Sequence, residues 1–337
     1  MRNAASTLLP RRREILAAAI VSAFALERAS AQQDKASLPI VGVLSPISLA
    51  QFTPNLAAIL RGMREAGFEE GRHYRIEHRL SGGAPERLPA LAADLVALPS
   101  RVIVAGSTAG ALAARSATRD IPIIFIGVSE DPVAIGLVAS IARPGGNITG
   151  FTLGDDVGLV GKRLEVLKEA IPTITRVTAF VNPDDATDAP VERLLPGAGQ
   201  ASGITIDLVR VRRRDELVPA ITDGAAQSDG LYISLSPLFN ANRAEIAALV
   251  ARLRKPAVYG FREFAVSGGL IAYGASLADL YYGATNYIVR ILRGDRVADL
   301  PVQQPTNFRL VVNLAAFNAL GISPSLSILA RADELIE

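Results

Sequence analysis

The sequence predicts an α/β protein of two doubly wound parallel-sheet lobes joined by a multi-crossover hinge. Three observations lead there. From Pro39 onward, short β-branched runs alternate with Ala/Leu-rich segments of helical length, the pattern of βαβ units in a parallel sheet. The alternation restarts after Pro144-Gly145-Gly146-Asn147, a turn signal. The chain has 337 residues, more than the roughly 250–300 at which a single hydrophobic core stops growing.

The first series contains expected strands Ile40–Leu44, Arg75–His78, Val102–Ala105 and Ile123–Ile126. Apolar residues at 3–4 spacing place helices between them, over Asn55–Ala66, Pro85–Ala97 and Ala109–Ala117. The second series has strands Val177–Val181, Ile204–Val209, Gly230–Ile233 and Ala257–Tyr259. Its helices are expected over Gly158–Ala170, from about Val191, over Asp215–Ala226 and over Ala241–Leu253. The near-continuous apolar strands indicate sheets covered on both faces. A strand at Leu270–Tyr273, a helix over Leu277–Leu292 closed by Gly294 and a strand at Leu310–Val312 are too few for a third domain. They must return to lobes already built. The expected lobes are 38–149 plus about 270–300, and 150–269 plus about 307–337, with three crossovers.

Half of the residues are hydrophobic and 5% are aromatic, a composition that excludes disorder. There is no cysteine, which excludes a disulfide framework, thiolate metal sites and a cysteine nucleophile. Residues 1–31 read as an export signal: Arg11, Arg12 and Arg13, an apolar stretch Ile15–Leu26, then Ala29-Ser30-Ala31 with cleavage before Gln32. The stretch is too short to span a bilayer, which takes about 20 apolar residues. Arg12-Arg13-Glu14-Ile15-Leu16 matches a twin-arginine pattern, and Sec export is the alternative. The segment carries five Arg and two Glu, a net +3, so the chain's +2 becomes −1 without it. A near-neutral remainder has no electrostatic footprint for nucleic acid.

Ligands of open α/β sheets bind beyond the carboxyl ends of the strands. The loops there nominate Ser45, Ser107, Thr108, Ser129 and Asp131 from the first lobe, and Asn182, Ser236, Phe239, Tyr259 and Glu263 from the second. Gly106-Ser107-Thr108-Ala109-Gly110 offers hydroxyls and N–H groups at a helix start, suited to an anion. Helix capping by Ser107 or Thr108 is the competing role. No dinucleotide fingerprint, P-loop or nucleophile elbow occurs, and His73 and His78 lack partners for a metal. No cofactor, metal or catalytic group is therefore expected. A secreted α/β enzyme is the alternative to pure binding, while a sugar-sensing regulator would need a helix-turn-helix where the export signal stands.

Several stretches carry a resemblance. They include Pro39-Ile40-Val41-Gly42-Val43-Leu44-Ser45, Gly62-Met63-Arg64-Glu65-Ala66-Gly67, Asp131-Pro132-Val133-Ala134, Arg143-Pro144-Gly145-Gly146-Asn147-Ile148-Thr149-Gly150, Phe261-Arg262-Glu263-Phe264 and Leu300-Pro301-Val302-Gln303-Gln304-Pro305. In this order they resemble the bacterial ABC transporter substrate-binding proteins. The resemblance implies a type I periplasmic binding fold, a periplasmic location, a small organic solute such as an amino acid or another carboxylate-bearing metabolite, and a permease partner. It places Ser107, Thr108 and Ser129 at the ligand's carboxylate. Many relatives carry an acidic residue before the proline of the second-lobe loop; here that position is Ser236, and Glu263 is the substitute partner for an ammonium group.

Overall fold

The computed structural model describes residues 38–154, 157–185 and 188–337; the expected signal at 1–31 lies outside them. Two sheets form. The first has the order β2-β1-β3-β4-β5 and is wholly parallel. Its strands are β1 (Ile40–Ser45), β2 (Arg75–Leu80), β3 (Ser100–Gly106), β4 (Ile123–Val128) and β5 (Ile148–Thr152). Helices α1 (Leu49–Glu65), α2 (Leu88–Ala97) and α3 (Ser107–Ala117) cover it. β1, β4 and β5 are buried along their whole length, as strands covered on both faces are, and β1 and β4 are nearly continuous apolar runs. α1 begins six residues before the expected helix because Ser48 caps it, its backbone N–H donating to Gln51 Oε1 at 3.1 Å.

The second sheet has the order β12-β11-β10-β9-β8-β6-β7. It contains β6 (Arg176–Val181), β7 (Thr205–Arg210), β8 (Gly230–Ile233), β9 (Ala257–Tyr259), β10 (Ile271–Gly274), β11 (Arg309–Asn313) and β12 (Glu334–Ile336). Only the β10/β11 pair is antiparallel. Around it lie α4 (Val157–Ala170), α5 (Asp188–Ala201), α6 (Arg214–Gln227), α7 (Pro237–Ala241), α8 (Arg243–Arg252) and α9 (Arg262–Val266). α11 (Leu314–Leu320) and α12 (Leu326–Arg331) complete it. Arg163 of α4, 1% exposed, donates through Nε to the Tyr273 carbonyl at 2.8 Å and through Nη1 to the Tyr232 hydroxyl at 3.1 Å, tying β8 to β10.

The expected lobe boundaries shift in two places. β5 belongs to the first sheet, where Thr149 Oγ1 donates to the Leu300 carbonyl at 2.6 Å, so the first unit runs to 152 rather than 149. β10, expected in the first lobe, sits in the second sheet between β9 and β11, where both of its edges are hydrogen-bonded. The chain after it returns to the first lobe as expected, where the Val302 and Gln303 N–H groups donate to the Ile141 and Gly150 carbonyls; the return begins with helix α10 (Leu277–Leu292). It packs on α1, and Gly62 is required at the crossing, since a Cβ there would collide with Thr285 Oγ1. The expected helix over Ala241–Leu253 is two helices, α7 and α8, because Pro237 and the Ser236 cap start a turn earlier. No helix among the described residues is long and apolar enough to cross a membrane.

Candidate functional site

The loops at the carboxyl ends of the two sheets enclose a narrow apolar cavity of about 50 Å³. The first lobe contributes Ser45, Asn55, Ser107 and Ile126, the second contributes Leu235, Pro237, Asn240 and Phe261, and Leu153, Leu277 and Tyr281 come from the connections and α10. The lobes touch beside it: Gln51 Nε2 of α1 donates to the Ala241 carbonyl of α7 at 2.5 Å. A second cavity, a chamber of about 570 Å³, is lined by Ser129, Glu130, Asp131, Thr152, Arg193 and Gln304 among others.

Ser107 holds a left-handed backbone, φ 68°, at the first residue of α3, a conformation that costs a non-glycine residue about 1–2 kcal/mol. Its Oγ accepts from the Gly110 N–H at 3.3 Å. The helix start that it presents to the cavity is a favourable place for negative charge. Ser45 Oγ bonds the hydroxyl of Tyr281, which burial pushes above the ordinary tyrosine range. Asn240 Oδ1 is buried with no hydrogen-bond partner among the described residues.

Thr108, fully buried, donates its hydroxyl to Glu130 Oε2. Burial raises the Glu130 carboxyl above its ordinary value; the Thr108 bond opposes this, and Asp185 of the other lobe adds to it. The chamber is therefore acidic at Glu130 and Asp131, next to the expected carboxylate receptor of Ser107, Thr108 and Ser129. Of the three, Ser107 alone faces the narrow cavity, while Thr108 serves Glu130 and Ser129 faces the chamber.

The remaining expected residues divide. Ser45 lines the cavity and Asp131 the chamber, although Asp131 Oδ1 also accepts from the Val133 N–H at 2.9 Å as a turn cap. Asn182 Oδ1 accepts from the Asp184 N–H at 3.1 Å and shapes its own loop. Ser236 caps α7 and donates to Asp185 Oδ2 at 2.8 Å. Phe239 is fully buried in the core and Asn240 takes its place at the cavity, because the short helix turns the next side chain inward. Tyr259 is fully buried and stacked on Phe264 at 4.6 Å, and borders a separate cavity with Leu270 and Leu320 on the far side of the lobe. Glu263 stands beside Arg243 and outside both cleft cavities. Asn55, Glu130, Asn240, Phe261 and Tyr281 were missed as site residues. Glu130 stands in a nominated loop, next to Asp131.

A family model described as ABC transporter substrate binding protein matches residues 40–336. A curated tyrosine-binding protein of Clostridioides difficile is 26% identical over 77% of this chain and 74% of its own length. A crystal structure of a conserved domain protein from Vibrio cholerae superposes with a TM-score of 0.82 at 25% identity, covering 89% of this chain and all of the other. A domain from Streptococcus pneumoniae in complex with L-Trp gives 0.82 at 23% identity over the same shares. With a match over both lobes and a cleft between them, the chain belongs to the ABC transporter substrate-binding protein family, and its role is to bind a solute.

Proposed function

We propose that the chain captures a small carboxylate-bearing organic solute between its lobes outside the cytoplasm and delivers it to the permease of an ABC importer. The observation that carries this reading is the cavity walled by both lobes, with Ser107 strained into the left-handed region at the start of α3. Backbone strain of this kind persists where the surroundings impose it, and it concentrates at ligand clamps. The first-turn N–H groups and the Ser107 hydroxyl receive the carboxylate, Asn240 Oδ1 accepts a donor, and Ile126, Leu153, Leu235 and Phe261 enclose an apolar group. Aromatic amino acids are the first candidates, since relatives bind tyrosine and L-tryptophan. No chemical step is assigned to the chain. Export with cleavage before Gln32 completes the reading, and the N-terminus of the secreted protein tests that part.

The binding part is tested by calorimetry on protein purified without refolding, titrated with amino acids and simple carboxylates. Saturable one-to-one binding that Ser107→Ala weakens by about tenfold or more, the cost of a lost charged hydrogen bond, is the expected result. Binding unaffected by that change overturns the anchor.

A further inference from the structure

The second lobe holds a further cavity, of about 120 Å³, that shares no lining residue with either cleft cavity. It lies between α8, α11 and the turn after α9. Its wall is built largely from small residues: Ala247 and Ala251 of α8, Ala316 and Ala319 of α11, and Gly268 and Gly269 of the turn. Short side chains leave space between helices only where the helices are held apart, and α11 is tied at both ends. Asn313, its cap, donates through Nδ2 to the Ala265 carbonyl at 2.9 Å, and Arg254 Nη2 donates to the Leu320 carbonyl at 3.3 Å.

Tyr259 of β9, fully buried, belongs to the same wall. Its ring is fixed in place. It stacks on Phe264 with centroids 4.6 Å apart, and a Cβ at Gly269 would stand 2.6 Å from its edge. The Tyr259 hydroxyl has no hydrogen-bond partner among the described residues. Burial pushes it above the ordinary tyrosine range, so it keeps its proton and remains a donor. A buried polar group without a partner is costly and calls for an explanation. Water is a poor one, because an ordered water needs about two to four polar partners. The other polar side chain on the wall, Lys255, already donates through Nζ to the Ser228 carbonyl at 2.6 Å. An apolar cavity of about 150 Å³ takes up benzene, so the space here matches a single ring. We propose that this cavity is a second small-molecule site, separate from the cleft, for a compact, ring-sized apolar molecule carrying one oxygen acceptor for the Tyr259 hydroxyl.

An isosteric pair tests it. Acetophenone and α-methylstyrene share a shape and differ by a carbonyl oxygen in place of a methylene. Each is titrated into the isotope-labelled full chain, and the amide signals of Gly268, Gly269 and Ala319 are followed by two-dimensional NMR. Both should shift these signals to saturation, acetophenone binding about twofold to tenfold more tightly, the net worth of one neutral hydrogen bond. Tyr259→Phe removes an unpaired hydroxyl and should leave the fold intact; it should abolish the difference between the two ligands. Ala319→Phe, at an exposed position of the wall, should fill the entrance and weaken both ligands about tenfold or more, with solute titrations of the cleft unchanged. Absence of saturable shifts, equal binding of the pair to the wild type, an acetophenone preference that survives Tyr259→Phe, or binding that survives Ala319→Phe overturns the site.

Discussion

At an ordinary residue inside a helix, alanine is more stable than glycine; at Ser107, the first residue of α3, the order should reverse. The residue holds φ 68°, where a Cβ costs about 1–2 kcal/mol. Ser107→Gly removes that cost. It loses the hydroxyl that accepts from the Gly110 N–H, a few tenths of a kcal/mol for a cap replaced by glycine, and it loosens the unfolded chain by about 0.4–1 kcal/mol. The sum is near zero. Ser107→Ala keeps the strain and loses the cap, at about 1 kcal/mol, and Ser107→Val adds branching at a φ that β-branched residues scarcely tolerate. Urea unfolding followed by circular dichroism should therefore rank glycine and serine together, then alanine, then valine. Alanine more stable than glycine would refute the left-handed assignment and, with it, the argument that the helix start is held in shape for a ligand. All three variants should bind solute more weakly, because all three lack the hydroxyl.

Gln51→Ala removes the hydrogen bond from α1 to α7; a net worth of about 0.5–1.5 kcal/mol should weaken solute binding roughly twofold to tenfold and expand the ligand-free protein in small-angle scattering. Asp188→Ala should cost about 2–3 kcal/mol in urea unfolding, because fully buried Asp188 accepts from the Asn182 N–H at 2.6 Å and from Ser234 Oγ at 2.5 Å, and those donors would be stranded. Glu130 sets a pH dependence: its raised carboxyl keeps a proton in the folded chain that the unfolded chain has released, so its contribution is complete below the unfolded value and is lost as pH rises through the folded one. The stability difference between wild type and Glu130→Gln should accordingly shift towards the variant as pH rises above the ordinary carboxylate range, and a constant difference would refute it.

The fold was legible because it is written in periods. Strands such as Ile123–Val128 are buried on both faces and so carry unbroken apolar runs, and the helices between them repeat every three to four residues. β10 was misplaced because its four residues look alike in either sheet; the choice is made by pairing with β9 and β11, which no local pattern records. The site was legible at the level of loops. Individual residues were less so, since a loop fixes which segment reaches the cleft and packing decides which side chain turns into it. Ser236 caps α7 and bonds Asp185, Asn182 satisfies its own loop, Phe239 turns into the core, and Asn240 and Glu130 face the cleft cavities. Tyr281 was out of reach for a different reason: it reaches Ser45 only after α10 returns from the second sheet.

The segments that join the lobes also line the cleft, so closing and binding share the same atoms. Leu153 follows β5 and Leu277 opens α10, and both border the narrow cavity; Gln304, Pro305 and Phe308, on the third connection, border the chamber. Gly154, at φ 63°, packs against Pro305 so closely that a Cβ would stand 2.9 Å from its ring, so two connections move together. The polar links across the closed form are weak. The Gln51 hydrogen bond contributes about 0.5–1.5 kcal/mol, and the exposed Arg309–Asp279 pair, 2.7 Å apart between β11 and α10, contributes at most about 1 kcal/mol. Moving lobes from mostly open to mostly closed takes about 5.5 kcal/mol, more than these two links supply. In this arrangement the Glu130 carboxyl is buried and Asp185 of the other lobe acts on it with the same charge sign, which opposes the approach of the lobes. The balance must come from the solute, through apolar area laid on Leu153 and Leu277. A solute too small to reach both should bind the open lobes and leave them open.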